Sequence, residues 1–421
     1  MGVLLLGGAK AEVARTWDEA IARVTPIAGQ KSGRSELTGL VVAGYQGWFA
    51  AEGDGSGLGW KHYGGKNLGP GNCSFDLWPD MSEMGDDERY PTAFRHEDGK
   101  VATLFSSYHP RTVDRHFKWM ADYGIDGVML QRFGVTLKSP QSYDFGTTVM
   151  RNVRNGASTH GRKWSVMYDL SGMKGEDVVP VIREDWNRLV EKGRILDDTG
   201  YLHHRGKPLV TIWGVGFNDN RAYGLEECAR LVDFLKGEGN AVMLGVPYFW
   251  RDLGRDAIAD PALLELLKKA DIISPWAVGR YRGADAVAKS LPGRLAGDLA
   301  WTEENQLSYI PVIFPGFSWR NLEKGRGRDA PLNAIPREDG RFLWQQAVEA
   351  KKAGAGMIYV AMFDEVDEST AILKASNNPP VGDSGFVTYG EHPPDHYLWL
   401  TGEIGKMLRG PAATEYRMPE R

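Results

Sequence analysis

Eight short apolar runs recur along the chain, at residues 40–43, 127–130, 164–167, 208–212, 241–244, 271–274, 310–314 and 357–360. They are apolar without alternation, as strands buried on both faces must be, and parallel strands covered by helices are buried that way. Between them, apolar residues return at helical spacing over 112–123, 184–191, 225–237, 261–270 and 340–353. Ahead of the first run, Val13, Trp17, Ala20, Ile21 and Val24 share one face of a helix predicted over 9–26. Gly124 and Gly354 stand where a helix should stop just before the next strand. Strand and helix alternating eight times predict a closed (β/α)8 barrel over 37–410. A segment 1–36 would pack a helix on it, and 411–421 would be a tail. A doubly wound open sheet is the competing arrangement. No glycine-rich phosphate loop opens any helix, and Gly44-Tyr45-Gln46-Gly47 is not a dinucleotide fingerprint.

One crossover is much too long. From Ala43 to Gly127 the chain is rich in Gly, Pro, Trp and acids, and a long insertion inside a compact domain is usually functional or disordered. Trp60, His62, Trp78 and Tyr90 favour an ordered wall beside the site. Composition narrows the function. The net charge of -5 over 421 residues leaves no basic footprint for nucleic acid or an anionic membrane. No apolar run approaches the length of a membrane span. The N-terminal MGVLLLGGAKAEVA has an apolar patch with no basic segment before it, which makes a poor signal peptide. Cys73 and Cys228 match no metal or redox spacing; two free thiols and one long-range bridge both stay open. The sequence sets no oligomeric state.

In a (β/α)8 barrel the residues that follow the strands converge on one face, and that face carries the site. Here those positions supply Tyr45 and Trp48, Arg132, Asp169, Tyr248 and Trp250, Trp276 and Arg280, Trp319, and the run Asp364-Glu365-Val366-Asp367-Glu368. Trp60 and His62 join them from the insertion. The chain has 9 His, and those at 109, 116, 203 and 204 fall before strands or on helices, so no zinc site and no cofactor is expected. Aromatic rings with paired carboxylates are what glycoside hydrolysis requires: rings stack on sugar faces, and the acids serve as acid and base or nucleophile. Glu365 and Glu368 are three apart, so a helical or tight turn would bring them to one face. The same acids read equally well as a cluster that caps a helix. A calcium loop is disfavoured because the Asp-x-Asp-x-Asp-Gly spacing is missing.

These residues resemble the family 71/99-like group of glycoside hydrolases, endo-α-mannosidases and α-1,3-glucanases on (β/α)8 barrels. AMFDEVDEST (361–370) looks like a variant of the group's last-strand pattern, Phe/Trp-Asn-Glu/Asp-x-x-Glu, with Asp364 in place of the Asn. GYQGWFAAEGDGSGLGWKHYG (44–64) is similar to its first strand and Trp-His element, and TVDRHFKWMADYGIDGVMLQRF (112–133) to its following helix and strand. MYDLSGM (167–173) sits where family 99 has His-x-Glu-Pro-Tyr; Asp169 matches the Glu and the Pro-Tyr is missing. The similarity runs from 37 to about 375. It implies a glycoside hydrolase acting on an α-mannan or α-glucan, and for family 99 a retaining α-mannosidase mechanism; sugar, linkage and retention or inversion stay open at this point. Glu365 would deprotonate the sugar 2-hydroxyl to give an anhydro-sugar, Glu368 would be the general acid/base, and Asp169 would orient the reacting sugar. Tyr45, Trp48, Trp60, His62, Arg132, Tyr248, Trp250, Trp276, Arg280 and Trp319 would line the subsites for an oligo- or polysaccharide. The resemblance also favours a secreted or periplasmic location. The competing functions are a glycan-binding barrel without catalysis and a lyase acting on a uronic sugar.

Overall fold

Each apolar run becomes a strand: β1 (Val41–Tyr45), β2 (Gly127–Phe133), β3 (Lys163–Asp169), β4 (Lys207–Trp213), β5 (Ala241–Pro247), β6 (Ile272–Trp276), β7 (two pieces, Ser308–Tyr309 and Val312–Ile313) and β8 (Ile358–Val360). The structure is a computed structural model that describes residues 16–22, 35–412 and 416–421. Neighbours from β1 to β6 pair in parallel in chain order. The first piece of β7 pairs with β6 through Ile272↔Ser308 and Ile273↔Tyr309. Its second piece pairs with β8 through Val312↔Tyr359, and β8 pairs with β1 through Ile358↔Val41. The ring is thereby closed, as the alternation predicted. The break in β7 falls at Pro311, which has no N–H to give the ladder and only accepts, from Tyr359 N at 3.0 Å.

Six strands run beyond the apolar segments that announced them, ending at Tyr45, Phe133, Asp169, Trp213, Pro247 and Trp276. Residues anticipated as loop are therefore in strands, and period-two alternation fixes which way they point. Tyr359 and Met167 meet inside the barrel, Tyr359 Oη to Met167 Sδ at 3.8 Å, and Thr211 Oγ1 lies 3.8 Å from Met129 Sδ. Gln131, Asp169 and Trp213 follow the inward set; Arg132 and Tyr168 follow the outward one. The interior is tight enough to require glycine at Gly44, where a Cβ would fall 2.1 Å from Tyr359 Oη.

The helices are α1 (Trp17–Ala22), α2 (Pro110–Tyr123), α3 (Pro140–His160), α4 (Gly175–Asn187), α5 (Leu225–Gly237), α6 (Ala262–Leu267), α7 (Ala284–Glu304), α8 (Arg320–Gly325), α9 (Arg341–Lys352) and α10 (His396–Arg409). Most of the helix predicted over 9–26 lies outside the described residues; within α1, Trp17 Nε1 donates to Leu137 O at 2.9 Å. The pattern at 184–191 is the end of α4 and a π-helical turn, Arg188–Lys192. The periodicity missed α3, α7, α8 and α10. Gly146, Gly156 and two adjacent threonines make α3 a weak helix by propensity. Packing forms it: a Cβ at Gly156 would meet the Phe117 ring of α2 at 2.9 Å, and Arg154 is sealed against Asp198 by two bonds, 2.6 and 2.5 Å. In α7 the interior Pro292 and Gly293 hide the pattern.

The long insertion after β1 is ordered and carries an antiparallel hairpin, Tyr90–Arg95 with Val101–Leu104. It is fastened to the segment after β8: Asp76 N and Leu77 N donate to Val366 O at 3.2 Å, and Asp80 N to Lys374 O at 2.8 Å. Buried Asp76 also accepts from Ser318 Oγ, Arg320 N and Asn321 N at 2.6 to 2.8 Å, so it fixes the β7 loop to the insertion. Cys73 and Cys228 are separate buried thiols. Among the described residues no helix is long and apolar enough to cross a membrane.

Gly127 tests the closeness of the barrel staves, since a Cβ there would sit 2.1 Å from Lys163 O. Gly127→Ala should cost about 3 kcal/mol in urea unfolding, whereas Gly356→Ala, which meets nothing within 4 Å, should stay within about 0.5 kcal/mol.

Candidate active site

After β8 the backbone passes a cis Ala361–Met362 peptide and folds back on itself, with Met362 N donating to Thr370 O at 3.1 Å and Ala371 N to Glu365 O at 3.0 Å. Four carboxylates are held in this loop, each in a different way. Asp364 is fully buried and accepts from Gln46 N at 2.7 Å and Gly47 N at 2.9 Å, which fixes the turn after β1, where Gly47 has φ +59°. Burial still pushes its carboxyl up to about 7. Glu365 accepts from Gln46 Nε2 at 2.7 Å and Thr370 Oγ1 at 2.6 Å; burial, then the neighbouring Asp367, push it up to about 8. Asp367 faces His62 Nδ1 at 3.6 Å with one oxygen unpartnered, and burial raises it to about 7. Glu368 is only half-buried and opens into a cavity. Its carboxyl is raised well above the ordinary carboxylate range by desolvation, then by Glu365 and Asp367.

That cavity, about 510 Å³, is lined by Trp276, Arg280, Tyr281, Phe317, Trp319 and Glu368. On the opposite side of the acids, Trp48 is stacked between His62 (3.9 Å, 7°) and Phe133 (5.0 Å, 21°). Burial lowers His62 to about 3, so it faces Asp367 as a neutral ring. Asp169 ends β3, accepts from Ser171 N at 2.7 Å and is raised by burial, against a small opposing effect of Arg221. Arg221 is occupied by Asp219 and lies over the rings of Trp213 and Phe217.

Of the expected site residues, Glu365, Glu368, Asp169, Trp48, His62, Trp276, Arg280 and Trp319 are at the barrel mouth. Five are not. Tyr45 points outward, fully buried, its hydroxyl 2.9 Å from His116 Nδ1 on α2. Arg132 also points outward, its guanidinium closed by two 2.6 Å bonds to Asp185 on α4. Trp250 is core, edge-on to Trp301, and Tyr248 is buried beneath Arg294 of α7. Trp60 packs against Tyr63 inside the insertion. The cause is the same for Tyr45 and Arg132: an odd step along a strand reverses the side chain. Gln46 and Thr370, which orient Glu365, were not anticipated: Gln46 lies at the far end of the chain, and Thr370, five residues on, reaches Glu365 only because the loop folds back on itself. Inward-facing Gln131 was legible, had the alternation been carried past Leu130. The described residues contain no group of His, Cys, Asp and Glu suited to a metal ion.

No family model matches the chain, and no curated protein matches it in sequence. Solved structures do. The family 99 endo-α-mannosidase from Bacteroides thetaiotaomicron, in complex with BIS-TRIS-propane, aligns with a TM-score of 0.62 at 18% identity over 89% of this chain and 98% of that one. The same enzyme in a second structure gives 0.60. A glycoside hydrolase-like protein gives 0.53 at 13% identity, over 90% of this chain and 96% of that one. The chain has the fold of the family 99 endo-α-mannosidase. The alignment extends over nearly the whole of that structure, so the resemblance first carried by short motifs holds for the architecture in full.

The raised acids give stability a defined pH dependence. Glu365 titrates near 4.5 unfolded and about 8 folded, so its contribution is full below 4.5 and is lost as pH rises toward 8. Glu365→Gln removes that loss. The melting temperature of the variant relative to the parent should therefore increase from pH 4 to pH 8, as followed by thermal unfolding; a gap that shrinks over this range would contradict the assignment.

Proposed function

We propose that the protein is a glycoside hydrolase acting on an α-linked glycan of the mannan or glucan type, with Glu368 as general acid/base and Glu365 as its partner. The observation that carries this reading is the asymmetry of the two carboxylates. Glu365 receives two hydrogen bonds that stabilise its charged form, from Gln46 and Thr370, whereas the influences raising Glu368 include Glu365 itself. Of two coupled acids, the one that receives donors ionises first, and its charge keeps the other protonated. Glu365 is then the base or nucleophile and Glu368 the acid.

Glu368 borders the cavity where Trp276, Phe317 and Trp319 offer flat apolar faces to sugar rings. A glycan lying across the mouth puts its glycosidic oxygen at Glu368, which donates the proton that the leaving group needs. Glu365, held rigidly by its two donors, acts at the anomeric side of the same sugar. On an α-mannoside, whose 2-hydroxyl is trans to the leaving group, it removes the proton of that hydroxyl, by analogy with the endo-α-mannosidase reaction, and the oxygen closes on C1 as the glycosidic bond breaks; on an α-glucoside, where the two are cis, Glu365 attacks C1 itself. Water then attacks C1 with Glu368 as base, and in the mannoside route Glu365 returns its proton to the freed 2-oxygen. Asp169, on the neighbouring inward face, orients the reacting sugar.

Glu365→Gln and Glu368→Gln should each lower kcat on α-mannan or α-glucan oligosaccharides by about 10²–10⁴-fold. With an aryl glycoside, whose leaving group needs no proton, Glu368→Gln should recover most of the rate of bond cleavage and Glu365→Gln should not. Hydrolysis by both variants at the parent rate would overturn the assignment. A parent that binds these glycans and cleaves none would mark a glycan-binding barrel.

A further inference from the structure

The loop that carries the acids is held from behind by a residue with no part in the chemistry above. Arg337 stands just ahead of α9, two residues past Ile335. Ile335 lines the cavity and exchanges two backbone hydrogen bonds with Phe317, at 2.9 and 3.0 Å. Arg337 is 5% exposed, and its stem lies under the loop after β7, where a Cβ at Gly316 would fall 2.6 Å from its Cγ. Its guanidinium packs on the rings of Tyr389 and Tyr397, 4.9 and 4.4 Å from their centroids. Among the described residues no carboxylate pairs with it, and its Nε and Nη1 are buried without a partner. A guanidinium buried in this way is costly, and the carbonyls that it reaches help to compensate it.

Those carbonyls belong to the acid loop. Arg337 Nη2 donates to Ser369 O at 2.7 Å and to Ala371 O at 2.9 Å. The two residues flank Thr370, whose hydroxyl donates to Glu365 Oε2 at 2.6 Å. One nitrogen thus grips the backbone on both sides of the residue that supports the proposed base. Ser369 has φ +52°, a left-handed conformation that a residue with a Cβ adopts at a cost, and the bond to its carbonyl helps to hold it there. Glu368 has a separate anchor on the cavity side, where Ser318 N donates to its carbonyl at 2.9 Å. Bonds inside the loop set its course; Arg337 ties that course to the layer behind.

We propose that Arg337 is a positioning residue for the reaction: by clamping Ser369 and Ala371 it keeps the Thr370 hydroxyl on Glu365, so that Glu365 is the acid of the pair that ionises first. This inference rests on the glycoside hydrolase reading for the reaction itself. Around Glu365, Gln46 and Thr370 favour the charged form, while Asp364, Asp367 and Glu368 oppose it. With three acids opposing two donors, loss of one donor delays the ionisation of Glu365 and narrows the division between acid and base. A planar guanidinium can lie flat on two tyrosines and still direct one NH₂ at two carbonyls; a lysine ammonium is a rotatable point charge and replaces it only in part.

The test compares Arg337→Lys, Arg337→Met and Thr370→Val, with near-ultraviolet circular dichroism to show which variants fold. Arg337→Met should lower kcat on α-mannan or α-glucan oligosaccharides by about 10²-fold and Arg337→Lys by about tenfold, with KM within about threefold because Trp276 and Trp319 are untouched. In both, the acidic limb of the pH profile of kcat/KM should move to higher pH, as it should in Thr370→Val. In the Thr370→Val background, Arg337→Lys should add little to either effect, since the clamp acts through that hydroxyl. An arginine that serves stability alone would lower the melting temperature and leave the limb in place. That result, or full additivity with Thr370→Val, overturns the proposal. If Arg337→Met does not fold, Arg337→Lys decides. Glu365 is also titrated without turnover, by the carboxyl resonance of isotopically labelled glutamate, identified through its loss in Glu365→Gln. Its titration should move upward in Arg337→Lys. A parent that cleaves no glycan while this shift persists defeats the hydrolase reading and leaves the clamp on Glu365 standing; cleavage by the parent with an unmoved Glu365 defeats the clamp alone.

Discussion

The carboxylate of Asp364 holds the mouth of this barrel together. It comes from the loop after the last strand and takes the amides of Gln46 and Gly47, just after the first strand, at 2.7 and 2.9 Å. The two ends of the ring are thereby locked across their seam, immediately above the β8–β1 ladder. The same contact places the Gln46 side chain, and Gln46 in turn orients Glu365. A fully buried acid is an expensive way to make this connection, and the rise of its carboxyl to about 7 shows the cost. Two charge-assisted bonds to backbone N–H groups offset much of it. Asp364, where the related last-strand pattern has Asn, is therefore a structural acid beside two proposed catalytic ones.

The crowding of four carboxylates in one loop makes sense once each is followed to its partners. Asp364 is occupied by backbone, Glu365 by Gln46 and Thr370, and Asp367 leans toward a neutral His62. Only Glu368 meets open space. Because they share one desolvated region, ionising any of them raises the next. Arg326 is the cation that opposes this at Asp367 and Glu368, and it is itself bonded to Glu323 at 2.9 Å. The insertion completes the arrangement. It carries His62 and Lys61, and through Asp76 it pins the β7 loop that supplies the aromatic wall.

Much of this was legible without coordinates. The strands were where the apolar runs put them, because a strand buried on both faces cannot hide its composition. Helices whose stripe is regular, such as α2 and α5, were equally visible. Helices α3 and α7 were not, since glycines, threonines and a proline weaken the local signal and neighbouring elements form the helix instead. Glu365 and Glu368 lie after the last strand, where the sequence pattern put them. Tyr45 and Arg132 were misassigned because strands ran further than their apolar cores, and one residue of extension turns a side chain from the mouth to the helix layer.

What the sequence by itself determined is the alternation, hence the barrel, and the strand end on which the acids converge. Those features are local: hydrophobic period and segment length are properties of consecutive residues. Tertiary structure alone decided the partners of the acids: Gln46 and Gly47 reach Asp364 and Glu365 from the far end of the chain, and Thr370, close in sequence, meets Glu365 only because the loop folds back on itself. It also decided that Lys61 has no counter-ion among the described residues, a property of everything that packs around it and of no residue beside it in the chain. Local pattern specifies elements; burial and partnership, which set charge, belong to the assembled fold.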